Sequence, residues 1–238
     1  MLPEAKRIKF TKTGRMQFIS HLDLNRVMRT ALIRAGIPIY YSEGFNPHPK
    51  MVFALPLSIG AESECELLDI KIIKEMPNDE IKERLSKELP CDMSVVNVTD
   101  PKEKFTEIAW AEYEIEFESP VDCSKLDEPE IVITKRTKSG EKQVDIKPQI
   151  RSFSLDGCTL TVVLCADNEG YLNPDSAVLN ENYWTLVSAD MTFACLLSQH
   201  ELIAKEYIPS TGVNLDIIPL GEAYKTSSIA AGTQWHIM

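Results

Sequence analysis

Residues 20–36 read SHLDLNRVMRTALIRAG, and this stretch decides the fold class. Its apolar residues Leu24, Val27, Met28, Ala31, Leu32 and Ala35 recur at the three- and four-residue spacing that lines one face of an α-helix. Ser20 and Asp23 form an S-x-x-D capping box, in which a serine oxygen accepts one of the N–H groups that a helix start leaves unpaired. Gly36 and Pro38 mark the exit, since glycine takes up the left-handed backbone of a helix end and proline cannot continue the ladder. Upstream, Lys6 to Lys12 (KRIKFTK) alternates polar and apolar side chains, the two-residue period of a half-buried strand.

Working outward, a Gly- and Pro-rich loop leads to two predicted strands, Met51 to Ile59 and Cys65 to Ile73, joined by a turn at Gly60. Pro77 to Leu89 predicts a second helix with Ile81, Leu85 and Leu89 on one face, and Asp92 to Val98 a closing strand. The order β-α-β-β-α-β is that of a ferredoxin-like, two-layer α+β unit, expected over residues 1–100. Asp100 to Lys104 is the candidate linker.

A second α+β unit with an antiparallel sheet is expected over residues 105–225. In Ile108 to Glu118, Tyr113, Ile115 and Phe117 alternate with Glu112, Glu114, Glu116 and Glu118, which predicts a strand with an outward acidic face. Ile131 to Thr137 pairs with Gln143 to Lys147 around Ser139-Gly140, and Ile150 to Leu155 with Thr159 to Cys165 around Asp156-Gly157. Asn173-Pro174-Asp175 opens a further helix, another is expected around Ser198 to Glu206, and residues 226–238 read as a flexible tail.

The 238 residues, 44% hydrophobic and 26% charged, are enough to bury a core, which excludes disordered, collagenous and coiled-coil classes. No apolar run approaches the roughly 18 residues of a membrane span, and Met1-Leu2-Pro3-Glu4-Ala5-Lys6 lacks the apolar centre of a signal peptide, so a soluble, cytoplasmic protein is expected. The net charge of −11 is unevenly distributed. Residues 1–51 hold nine Lys and Arg (Lys6, Arg7, Lys9, Lys12, Arg15, Arg26, Arg29, Arg34, Lys50) against three acids, a charge of +6, and the remainder carries −17. Such polarity points to an anionic ligand at the basic pole.

Six cysteines (Cys65, Cys91, Cys123, Cys158, Cys165, Cys195) are scattered with no C-x-x-C, which predicts reduced, mostly buried thiols. A zinc site or an iron–sulfur cluster needs ligands at shorter spacing. No P-loop, Rossmann fingerprint, nucleophile elbow or H-E-x-x-H occurs, so nothing marks an enzyme.

The candidate binding residues cluster between positions 18 and 50. Ser20, His21 and Asp23 open the helix, where free N–H groups and the positive dipole end attract phosphate or carboxylate. Arg26 and Arg29 lie off the apolar stripe and offer guanidinium forks. The loop Tyr41-Ser42-Glu43-Gly44-Phe45-Asn46-Pro47-His48-Pro49-Lys50 is stiffened by prolines on both sides of His48, and Gly44 permits a sharp turn. If exposed, Phe45 or Tyr41 can stack on a nucleobase. Plainer readings stand beside these: Phe45 as a core plug, Arg26 and Arg29 as solvated face, His21 as a capping or packing residue. Two sharper ones are an acid–base pair of His21 with His48, and a metal set of both with Asp23 or Glu43.

The stretch KFTKTGRMQFISHLDLNRVMRTALIRAGIPIYYSEGFNPHPK (residues 9–50), followed by ALPLSIGAESECELLD (residues 54–69), resembles the radical-SAM-linked protein family, a bacterial domain of unknown function. Its members are fused to a radical S-adenosylmethionine enzyme or encoded beside one. The resemblance, carried by roughly residues 6–70, implies a separately encoded radical SAM partner, and no cofactor in this chain, which lacks the cluster-binding C-x-x-x-C-x-x-C run. The expectation is a non-catalytic, substrate-recruiting protein that grips tRNA or rRNA, with an RNA-processing enzyme using His21 and His48, or a protein–protein adaptor, as alternatives.

Overall fold

The computed structural model describes residues 3–55, 57, 59–117, 123–137, 140–167, 172 and 200–209. The expected helix at Asn173-Pro174-Asp175 and the tail at 226–238 lie outside the described residues. The architecture is mixed α/β, with two α-helices among the described residues and sheets that are antiparallel apart from one pairing.

Strand β1 (Glu4–Lys12) leads to helix α1 (His21–Arg34), whose Leu24, Met28, Ala31 and Leu32 are buried as the periodicity requires. Strand β2 (Met51–Phe53) and the long β3 (Ala61–Ile72) follow, then α2 (Asn78–Ser86), which buries Ile81 and Leu85, and β4 (Met93–Thr99). β1 pairs antiparallel with β3 on one side and β4 on the other, and β2 pairs antiparallel with β3. Both helices cover one sheet face, where they share a core with Ile8, Phe10, Leu68, Ile70, Ile72 and Val98.

Strand β5 (Ile108–Phe117), the β6 (Val132–Thr137) and β7 (Gly140–Asp145) hairpin, and the β8 (Ile150–Asp156) and β9 (Thr159–Cys165) hairpin complete most of the second half. The alternation of β5 is realised: Ala111, Tyr113 and Ile115 are buried, while Glu112, Glu114 and Glu116 sit on the other face. The second core gathers these with Leu160, Val162 and Leu164 of β9 and with Ala61, Cys65 and Leu67 of β3. β3 therefore feeds one core with its even-numbered residues and the other with its odd-numbered ones, as a two-residue period allows.

The expected helix around Ser198 to Glu206 is a strand instead. β10 (His200–Pro209) lies between β3 and β5, parallel to the first and antiparallel to the second. Backbone pairing on both edges outweighs the local helix preference of Glu201, Ala204, Lys205 and Glu206, a difference of tenths of a kcal/mol per residue. One sheet thus runs β4-β1-β3-β10-β5-β9-β8, with β2 on β3 beside β10. The strand expected over Met51 to Ile59 ends at Phe53, after which Ala54 N–H still reaches Leu67 O at 3.0 Å. Pro56 has no N–H with which to continue a ladder.

The five cysteines among the described residues are free thiols, but only Cys65 is buried and Cys91 is exposed, so the expectation of mostly buried thiols fails. No helix among the described residues is long and apolar enough to cross a membrane.

Candidate functional site

The basic pole divides once folded. Lys6, Arg7, Lys9 and Lys12 are buried on β1. Arg7 forks onto Asp69 at 2.7 and 2.8 Å, donates to the Glu103 carbonyl at 2.8 Å and stacks 4.3 Å from the Phe105 ring centre. Lys6 reaches Asp100 at 2.7 Å. These cations fasten the segment after β4 to the sheet. The outward cations of the first 51 residues are Arg15, Arg26, Arg29, Arg34 and Lys50, with Arg15 bound to Asp92 at 3.5 Å and Arg26 to Asp23 at 2.8 Å.

The start of α1 is self-satisfied. Ser20 Oγ accepts the Asp23 N–H at 3.1 Å and donates to Asp23 Oδ2 at 2.7 Å, so the expected cap is present. These Ser20 and Arg26 hydrogen bonds hold the Asp23 carboxyl below its ordinary value. A carboxylate already fills the positive end of the helix, which makes that end a poor seat for a second anion. His21 packs edge-on against Phe53 with ring centres 5.2 Å apart. Burial, with the Lys12 ammonium nearby, pushes its imidazole pKa down. His21 is thus partly buried and packed on Phe53, and Arg29 is exposed.

The loop after α1 is braced. Tyr41 and Pro49 form an antiparallel bridge, Ser42 N–H donates to His48 O at 2.8 Å, and Ser42 Oγ lies 2.9 Å from His48 Nδ1 while accepting the His48 N–H at 3.1 Å. Gly44 adopts φ of +124°, a conformation that L side chains rarely enter. Phe45 stands at the tip with a relative exposure of 112%, so it is no core plug. Tyr41, Asn46, Pro47, His48 and Lys50 are exposed around it. At the root, Tyr40 N–H donates to Lys71 O (2.7 Å), Lys71 N–H to Lys50 O (3.2 Å) and Lys50 N–H to Tyr40 O (2.9 Å), a closed ring of three backbone bonds joining the loop to β3.

Among the described residues no hydrogen bond or ring contact joins His21 to His48, and no group of three or more His, Cys, Asp or Glu side chains is placed to hold a metal ion. No metal set of both histidines with Asp23 or Glu43 is therefore assembled among the described residues.

Residues 6–174 match the bacterial family described as "Uncharacterized protein conserved in bacteria (DUF2344)". The chain belongs to this family. The DUF2344 match covers the braced loop and, among the described residues, both α-helices and nine of the ten strands, so it reaches past the first 100 residues into the β5 to β9 region and stops short of β10. No curated protein matches the chain.

In this DUF2344 member the loop presents an exposed aromatic side chain on a hydrogen-bonded stem, with the exposed Lys50 at its root. Sequence reasoning reached the loop and Lys50 but missed Tyr40 and Lys71, which meet it only through pairing with β3, and Phe53, which seats His21. Nothing local in the strand read over Cys65 to Ile73 marked Lys71 as a neighbour of the loop.

Proposed function

We propose that this protein is a non-catalytic recruiting subunit that binds single-stranded regions of a structured RNA and presents them to a separately encoded radical SAM enzyme. The observation that carries the reading is Phe45, wholly exposed at the tip of a loop that Ser42 and His48 lock. Covering the apolar surface of an exposed phenyl ring is favourable, and a locked stem removes much of the ordering cost of binding, so the arrangement favours stacking on a planar, unpaired base. Lys50, exposed at the root of the loop, supplies positive charge, and Arg29 is a further exposed cation on α1. The partner enzyme rests on the sequence resemblance. We also read β1-α1-β2-β3-α2-β4 as ferredoxin-like, a reading supported by the antiparallel order β4-β1-β3-β2 with both helices on one face.

Fluorescence anisotropy with an unpaired oligoribonucleotide tests this. Affinity falls steeply with salt and drops by about 1–3 kcal/mol in Phe45→Ala, with smaller losses in Arg29→Ala and Lys50→Ala. Absence of binding at low salt, or equal binding by Phe45→Ala, refutes the reading.

A further inference from the structure

We propose that Lys50 and Lys71 form the seat for a phosphate group of the bound strand, at the root of the loop that carries Phe45. The inference rests on the recruiting role proposed above and names its anion subsite. The β2–β3 register runs Phe53 to Leu68, Val52 to Asp69 and Met51 to Ile70. One step further sets Lys50 opposite Lys71, and the Lys71 N–H to Lys50 O bond of 3.2 Å marks that pairing. Met51 and Phe53 pack into the core beneath the helices with the fully buried Ile70 and Ile72. By alternation Lys50 and Lys71 emerge together on the other face, and both are exposed.

Opposed positions in an antiparallel ladder place Cβ atoms roughly 5 Å apart, where like charges repel. Asp69, two residues from Lys71 on the same face of β3, is taken by the Arg7 fork. Neither lysine has an ion pair among the described residues. Two ammonium groups facing each other without a counter-ion are an unfavourable surface for the free protein and a favourable one for a phosphate that lies between them. Val52 and Ile73, exposed on the same face, give the pair apolar shoulders that limit its access to water. Phe45 is five residues from Lys50, at most about 18 Å along extended chain, so one short run of nucleotides reaches both.

The test measures the full chain binding an unpaired oligoribonucleotide across a salt series, for wild type, Lys50→Ala/Lys71→Ala and Lys71→Glu. Loss of the one single-strand phosphate contact lowers the slope of log affinity against log salt by about 0.7 and weakens binding on the order of tenfold at low salt. Lys71→Glu sets opposite charges across the ladder, so it raises the melting temperature while lowering affinity. Unchanged slope and affinity in the double variant overturn the seat and leave the RNA reading standing. A second probe, inorganic tripolyphosphate, is titrated against protein labelled at lysine Cε. If the oligonucleotide does not bind but Lys50 and Lys71 signals shift, the seat stands and the RNA reading falls; if neither responds, both fall.

Discussion

Ser42 and His48 hold each other at both backbone and side chain: Ser42 N–H donates to His48 O at 2.8 Å, and Ser42 Oγ accepts the His48 N–H at 3.1 Å and contacts Nδ1 at 2.9 Å. With the imidazole proton on Nε2, Nδ1 accepts the serine O–H and the hydroxyl is satisfied as donor and acceptor together. Ser42→Ala removes the side-chain half of this lock. The bonds are exposed, so global stability changes by about 1 kcal/mol or less. Amide exchange at residues 43–46 quickens, and oligoribonucleotide affinity falls although the lost hydroxyl touches no ligand. Equal exchange rates in Ser42→Ala and wild type would show that prolines alone stiffen the loop.

Arg7 carries a different load, because its guanidinium is buried over Phe105 and its bonds to Asp69 and Glu103 O are part-buried. Arg7→Ala leaves Asp69 unpaired and frees the segment around Glu103, and the expected loss is about 3–5 kcal/mol in denaturant unfolding. Arg7→Lys keeps the charge but has no planar fork, so it recovers only part of the loss. A loss below about 1 kcal/mol in Arg7→Ala would mean that Asp69 is resolvated at little cost.

What could be read in advance follows from the range of the interactions. The capped helix at 20–35 and the hairpin around Asp156-Gly157 are set by neighbours a few positions apart, and both are where the pattern puts them. The rigidity of the 41–50 loop followed from Gly44 and the prolines, but the Ser42–His48 lock did not, since it depends on the two rungs aligning. The alternation of KRIKFTK fixed a strand with one apolar face. It could not show that its other face would be covered by residues 100–105, which bury Arg7 and turn part of the basic pole inward. β10 was misread for the same reason: its two partners are about 90 and 140 residues away, and only they decide against the helix.

His21 makes stability depend on pH with a definite sign. Burial and Lys12 lower its pKa from 6.5, so below 6.5 the unfolded chain takes up the proton before the folded one does. The contribution is complete above 6.5 and is lost as pH falls through the lower, folded value. His21→Gln also loses the edge contact with Phe53, so the informative quantity is the gap between variant and wild type. That gap narrows on acidification from pH 7 to 5, measured by urea unfolding. A gap that stays constant would place the His21 imidazole in water.

Lys205 should act as the pin that holds β10 between its neighbours. Its ammonium lies 3.2 Å from Glu64 Oε1 on β3 and 2.9 Å from Glu114 Oε2 on β5, so one side chain ties three strands. Burial alone would lower its pKa, but the bonds to Glu114 and Glu64 outweigh that and hold it above its ordinary 10.5. Lys205→Met leaves two carboxylates facing each other across β10, and at pH 7 the expected loss is about 1–3 kcal/mol. Because the folded pKa is raised, the wild-type contribution is complete below 10.5 and is lost as pH rises through the folded value. The wild type therefore converges on the variant as pH rises above 10.5, while adding Glu114→Gln to Lys205→Met restores part of the stability at pH 7 by removing the repulsion. Denaturant unfolding of the three proteins at both pH values reads this, and a double variant weaker than Lys205→Met would mean that Glu114 serves β5 through some other contact.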